Sequence, residues 1–287
     1  MKKLILVLAA ALTSVTMAFA QDYNEVVDSY NKGVEAQQNG DLEAALASYQ
    51  ETYALAASVE EAAEIAANCK NLIPTLAYNI AVKEYKAGDY KACAAKALAA
   101  IELAEQFEAA EKAAEARTLL ADAKYYDVKG LEDTDVEAAL AAYKVLAEEG
   151  EERANGRLYF LTSKKATELQ KEATAMTDAA AKKAAFKNVY ELAKESLGYE
   201  ESAAAYKTLA TAARNIDKLD EAVAGYEKYL ELKPDAKDAL QISNNLAQCY
   251  KKLGNKAKAL EYYKKVAAGD NEKLKAAALK QIEALSK

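Results

Sequence analysis

Alanine occupies 67 of the 287 positions, against ten glycines and two prolines. Ala is the strongest helix former, while Gly and Pro break helices, so the backbone is directed toward α-helix and away from a β-rich fold. Histidine and tryptophan are absent. The missing histidine removes Ser–His triads, imidazole acid–base chemistry and histidine-ligated metals. The length suits one large domain or an array of repeats.

The first twenty residues read as an export signal. Lys2 and Lys3 precede an apolar run from Leu4 to Leu12, which leads to Ala18-Phe19-Ala20. A basic start, a short apolar stretch and a small-x-small site predict a secretory signal peptide cleaved after Ala20. A membrane anchor is the rival, but it needs about 20 apolar residues. No Cys follows the site, and no later segment is apolar enough to span a bilayer. Export across the inner membrane of a Gram-negative bacterium, to the periplasm or beyond, is the expectation.

Removing the two leader lysines leaves 36 basic and 45 acidic residues, a net charge of −9. Such a chain repels phosphate backbones, which disfavours nucleic acid as a partner. The charge is uneven: residues 21–200 carry −13, whereas 251–287 carry +6. A Lys-rich solvated helix face explains the basic end, and a contact with an acidic partner or anionic membrane is the sharper alternative. Cys69, Cys93 and Cys249 have no CxxC spacing. Burial as small hydrophobes is expected, with one disulfide the alternative and a metal site disfavoured.

Turn signals punctuate the chain at Gly40-Asp41, Gly88-Asp89 and Gly254-Asn255. Each puts Gly where a helix can end left-handed, and Asp or Asn where the next can be capped. Helical spacing lies on both sides, as in Leu42, Ala45, Leu46, Tyr49 and Tyr53, so the unit is helix–turn–helix. One signature recurs within it: Ala, then Tyr four residues later, at 45/49, 139/143, 222/226 and 259/263. A small residue lets two helices approach, and an aromatic one turn on fills the groove beside it. Tyr206, Leu209 and Ala210, then Leu246, Ala247 and Tyr250, form a companion pattern on the preceding helices, and Pro234 closes one unit.

These residues resemble the tetratricopeptide repeat, whose first helix carries an aromatic, Leu-Gly and Tyr, and whose second carries Ala, an aromatic and a closing Pro. The match is best over 203–268, good over 26–57, partial over 75–104 and 113–147, and weak over 153–198. The implied organisation is a signal peptide at 1–20, an array over 21–268 of about five repeats plus a degenerate one at 153–198, and a capping helix at 269–287. The implied fold is all-α, a right-handed solenoid of antiparallel helix pairs. Equivalent positions 45, 93, 139, 222 and 259 lie more than 34 residues apart, so some helices must be longer than usual or carry extra turns. Between 58 and 75, Ser58 and Glu61 form a capping box for a helix expected to kink at Pro74 and continue.

The resemblance implies binding without catalysis, on a concave surface lined by first helices. Candidate groove residues are Lys207, Thr211, Arg214, Asn244, Gln248 and Lys251, with Tyr30, Tyr78 and Tyr85 as aromatic candidates. Solvated helix faces and core packing are the respective plain alternatives. Lys207 and Asn245 match two positions by which some relatives hold a peptide's terminal carboxylate, but Thr211 replaces the Asn that would join them. The acids around Gly150 (Glu148, Glu149, Glu151, Glu152) lie in a charged turn rather than across a cleft, and no phosphate-cradling Gly loop is present. The leading expectation is a non-catalytic scaffold of the cell envelope without cofactor or metal, holding a peptide or helix of a protein partner. A glycan, cell-wall or lipid-binding module and a self-assembling structural protein are the alternatives.

Overall fold

The structure is a computed structural model and describes residues 23–287. The leader at 1–20 therefore lies outside the described residues. Thirteen α-helices are found among those described, with no strand. They run as α1 (Tyr23–Gln38), α2 (Leu42–Ala56), α3 (Ala63–Ala87), α4 (Tyr90–Gln106), α5 (Ala110–Lys129), α6 (Val136–Glu148) and α7 (Glu152–Ala175). Then follow α8 (Ala179–Tyr199), α9 (Ala203–Asn215), α10 (Leu219–Leu232), α11 (Ala239–Lys252), α12 (Lys256–Ala267) and α13 (Glu272–Ser286). The chain divides into two compact units at Gly130/Leu131. In unit 1, α1 to α5 each pack on the next; in unit 2, α6 to α13 do the same. The fold is all-α, built from consecutive helix pairs.

The turn chemistry expected from sequence is present in detail. Gly40, Gly88 and Gly254 have φ of 79°, 78° and 77°. The next residue caps the following helix: Asp41 Oδ1 accepts from Ala44 N at 3.0 Å, Asp89 Oδ1 from Ala92 N at 2.9 Å and Asn255 Oδ1 from Lys258 N at 3.1 Å. Each bond satisfies one of the N–H groups that a helix start leaves without an intrahelical partner.

The Ala–Tyr signature forms the packing core of the pairs. Ala45, Ala139, Ala222 and Ala259 are fully buried, and Tyr49, Tyr143, Tyr226 and Tyr263 are at most 1% exposed. In the first pair the helices meet so closely that a Cβ on Gly33 of α1 would stand 2.8 Å from the Tyr49 ring. Glycine is required there by contact rather than by backbone angle. Cys69, Cys93 and Cys249 are free and completely buried, as expected of small hydrophobes, and burial pushes the Cys69 thiol up to about 11.

Two local expectations meet a different outcome. The capping box at Ser58 does not start a helix: Ser58 Oγ donates to the Leu55 carbonyl, a 3-10 turn covers Glu60–Ala62, and α3 begins at Ala63. Ser58 is drawn into closing α2 because its hydroxyl can serve the last carbonyls of the preceding helix as well as the first N–H groups of the next. The segment 113–147, read as one partial repeat, is divided by the unit boundary, with α5 in unit 1 and α6 in unit 2. The continuation through Pro74 holds, since α3 runs 25 residues with that proline inside it. At 20 to 25 residues, α3, α5, α7 and α8 supply the extra length that the wide repeat spacing demands.

Candidate functional site

In unit 2 the groove candidates fall on two helices of the same kind, α9 and α11. Thr211 and Arg214 sit one turn apart on α9, and Asn244, Gln248 and Lys251 follow at three- and four-residue steps on α11. Tyr226 joins them from below. Its hydroxyl donates to Thr211 Oγ1 at 3.2 Å, and the Thr211 carbonyl accepts from Asn215 Nδ2 at 2.8 Å. Burial raises the Tyr226 hydroxyl above its ordinary range, opposed by the Arg214 charge and by contacts with Thr211 and Asn245. Asn245 Oδ1 accepts from Gln241 Nε2 at 3.1 Å.

Four polar side chains of these two helices are well covered, those of Ser243, Asn244 and Asn245 in successive directions around α11. Thr208, Ser243, Asn244 and Asn245 are all at most 9% exposed. Gln248 is exposed, and Lys251 reaches α13, donating to Gln281 Oε1 at 2.8 Å. Buried amides are costly unless hydrogen-bonded. The Asn244 side chain makes no hydrogen bond with another described residue, yet its amide is not sealed from water: the buried side-chain atoms without a partner among the described residues are Ser163 Oγ and Gln170 Oε1.

Lys207 has a different occupation. Its Nζ donates to Asp238 Oδ2 at 2.9 Å and lies 5.4 Å from the centre of the Tyr229 ring, while the Tyr229 hydroxyl donates to Asp238 Oδ1 at 2.5 Å. Burial works to raise the Asp238 carboxyl, but the bonds from Tyr229 and Lys207 outweigh it and hold the group below its ordinary 3.8. Burial and the same bond push Tyr229 up to about 12. A depressed carboxylate contributes stability that is present above its unfolded value and lost as pH falls through the folded one. In acid titrations below about pH 4, the native protein should therefore lose stability more steeply than Asp238→Asn. Parallel curves would show that this cluster contributes nothing. Asp238 escaped the sequence reading because its link to Lys207 spans 31 residues, and Tyr229 was legible there only as a packing residue.

The aromatic candidates lie in unit 1 and do not converge. Tyr30 tilts against Tyr49 at 5.4 Å within the α1–α2–α3 core. Tyr78 and Tyr85, on α3, border a second cluster. Lys112 Nζ stands 5.3 Å from the Tyr78 ring centre, and Tyr85 meets Tyr90 and Tyr126 edge-on at 5.4 and 6.1 Å. All three are partly exposed. Their contacted faces serve packing.

No set of three or more Cys, Asp or Glu side chains is placed to hold a metal ion among the described residues. No described helix is long and apolar enough to cross a membrane.

These features define a helical-repeat protein with a polar face on the first helices of its last two full pairs. Residues 240–268, which hold α12 and all of α11 but its first residue, match the family model of the tetratricopeptide repeat. No curated protein matches the chain. Among solved structures, it is similar to the TPR2AB domain–pHSP90 complex of yeast Sti1, with 17% identity over 92% of this chain and 98% of that one, at a TM-score of 0.42. It is also similar to a thermophilic TPR protein of Thermus thermophilus, with 19% identity over 72% and 98% of the two chains, at a TM-score of 0.32. A tetratricopeptide repeat protein from Parabacteroides merdae aligns over 92% and 100%, with 13% identity and a TM-score of 0.30.

Proposed function

We propose that this protein is a non-catalytic scaffold of the bacterial cell envelope, which holds a segment of a partner protein against the α9/α11 face. The whole array then belongs with the tetratricopeptide repeats, of which 240–268 is the segment matched. The observation that carries this reading is the cover given to Thr208, Ser243, Asn244 and Asn245 on the first helices. Asn245 is bonded within α11 to Gln241, while the neighbouring Asn244 keeps an amide that a bound backbone can engage. The envelope location rests on the leader at 1–20 and its Ala18-Phe19-Ala20 site.

Crosslinking of the tagged protein in its own envelope, followed by mass spectrometry, tests both parts. Gln248→Trp sets a bulky ring on the exposed turn beside Asn244 and should leave helicity unchanged. The expected result is one abundant envelope protein captured by the native chain and lost in the variant. Capture of nothing above background overturns the reading, and capture of the chain itself alone replaces it with self-assembly.

A further inference from the structure

Tyr250 and Tyr262 form a pair to which the binding face assigns no part. Tyr250 lies in the last turn of α11, and Tyr262 lies on α12, beyond the turn at Gly254. Their rings are stacked, 16° from parallel, with centres 5.8 Å apart. Both hydroxyls donate to one atom, Oε1 of Glu227 on α10, at 2.6 Å from Tyr250 and 3.3 Å from Tyr262. Tyr90 and Tyr126 are also stacked, at 5.4 Å and 27°, but their hydroxyls meet no carboxylate among the described residues. The Tyr30–Tyr49, Tyr85–Tyr90 and Tyr125–Tyr126 contacts are tilted or edge-on.

A carboxylate shared by two phenols is a base placed for their oxidation, because a phenol loses an electron readily only when its proton leaves with it. Burial and Glu227 raise both hydroxyls, that of Tyr262 to about 12, so neither ionises beforehand at a working pH. Lys265 Nζ stands 4.5 Å from the centre of the Tyr262 ring and opposes positive charge there. The first electron therefore leaves Tyr250, the more exposed of the two. Trp is absent from the chain, and Cys69, Cys93 and Cys249 are fully buried thiols that burial keeps protonated. Tyrosine is thus where an oxidant's demand falls.

We infer that Tyr250 and Tyr262 are an oxidative modification site, at which a one-electron oxidant joins the two rings as dityrosine. Two equivalents of oxidant are reduced as each phenol gives up one electron. Glu227 takes the two phenolic protons in turn and passes them to water. The radicals couple through the ring carbons beside the hydroxyl-bearing ones, forming one C–C bond. The hydrogen on each coupled carbon then moves to the neighbouring oxygen as a proton and restores a phenol, so the product is two hydrogen atoms lighter. The link ties α11, which carries Asn244 and Gln248, to α12 across their turn, and it removes open conformations from the unfolded chain. It does not depend on what partner the protein holds.

The test exposes the protein to photogenerated tris(bipyridyl)ruthenium(III), with a cobalt(III) ammine as the terminal electron acceptor. The expected product is a fluorescent monomer in which one tryptic peptide pair, two hydrogen atoms lighter, joins Tyr250 to Tyr262. Fragmentation separates Tyr262 from Tyr263 beside it. Tyr250→Phe and Tyr262→Phe, which keep the rings, should each abolish this product. Glu227→Gln keeps an oxygen for both hydroxyls but takes no proton, and should slow the coupling by about tenfold or more at unchanged helicity. The Phe variants decide the site should Glu227→Gln fail to fold. Coupling chiefly at Tyr90 and Tyr126, dityrosine formed only between molecules, oxidation confined to Cys249, or an equal rate in folded Glu227→Gln overturns the inference.

Discussion

Replacing Tyr226 by alanine is expected to destabilise unit 2 by about 3–5 kcal/mol, the range for emptying a buried aromatic site. Tyr226 has no exposed surface, and its ring belongs to a large buried cluster that includes Ala210, Ala213, Ala222, Leu246, Ala247 and Ala259. Removing a fully buried ring leaves a cavity, and the cost grows with the volume that stays unfilled. Tyr226→Phe is the control. It keeps the ring and removes only the hydroxyl bonded to Thr211 at 3.2 Å, at a cost of about 0.5–1.5 kcal/mol. Urea unfolding of both variants decides the matter. Equal losses would mean that the hydroxyl, not the packed ring, supports the pair.

The second large effect is expected at Glu132. This residue precedes α6, and its side chain is only 11% exposed. Oε1 accepts from the Tyr143 hydroxyl at 2.6 Å and from Arg157 Nε at 2.7 Å, and Oε2 pairs with Arg157 Nη2. One carboxylate thus ties the start of unit 2 to α6 and α7. Glu132→Ala would leave a guanidinium and a phenol without it. Breaking one side of a fully buried pair costs about 3–5 kcal/mol. Arg157 retains 27% of its side-chain exposure, so water recovers part of that, and about 2–3 kcal/mol is expected. Charge can be separated from hydrogen bonding with Glu132→Gln, which keeps an acceptor for Tyr143 and should recover part of the loss. A thermal midpoint unchanged in both variants would refute this account.

Much of the fold is readable from residue spacing because its determinants are local. The Ala–Tyr signature marked the most deeply buried contacts, and the Gly-Asp or Gly-Asn steps at 40/41, 88/89 and 254/255 marked left-handed turns with a cap, whereas Gly269-Asp270 did not. Where a turn lacks glycine, that signal fails. Glu108 and Asp217 adopt positive φ of 58° and 63° and take the turn position that Gly40 or Gly88 fills elsewhere. A non-glycine residue in that region carries roughly 1–2 kcal/mol of strain, and nothing in its sequence context announces it. Both side chains hold a lysine of an earlier helix, Lys70 of α3 and Lys183 of α8 respectively. The unit boundary at Gly130/Leu131 was equally hidden, because Ala139 and Tyr143 carry the same packing signature as the pairs that are not divided.

The candidate face was legible as a set of residues but not as a set of roles. Periodicity placed Lys207 and Arg214 on one helix face as equivalent cations. Tertiary structure distinguishes them, since Asp238 meets the first and no described carboxylate meets the second. Such a difference depends on where a loop 31 residues away returns, which no local pattern encodes. Asn244 and Asn245 show the same limit, as adjacent amides of which one is bonded to Gln241 and the other is open.

Helix α3 also constrains how this chain can be rearranged. Cys69 and Ile73 in its first half pack with Ala45 and Tyr49, while Ala81 and Ala77 in its second half join Cys93, Ala97 and Ala100. One continuous rod therefore belongs to two successive helix pairs. A repeat array ordinarily loses or duplicates one unit by recombination at a loop, leaving the flanking units whole. Unit 2 has such a site between α10 and α11, where the chain leaves helix from Lys233 to Asp238. Between residues 63 and 87 there is none. Any crossover there cuts a helix and takes a wall from the cores on either side of the cut, so a rearrangement that keeps both cores must move this part of the chain as a single block.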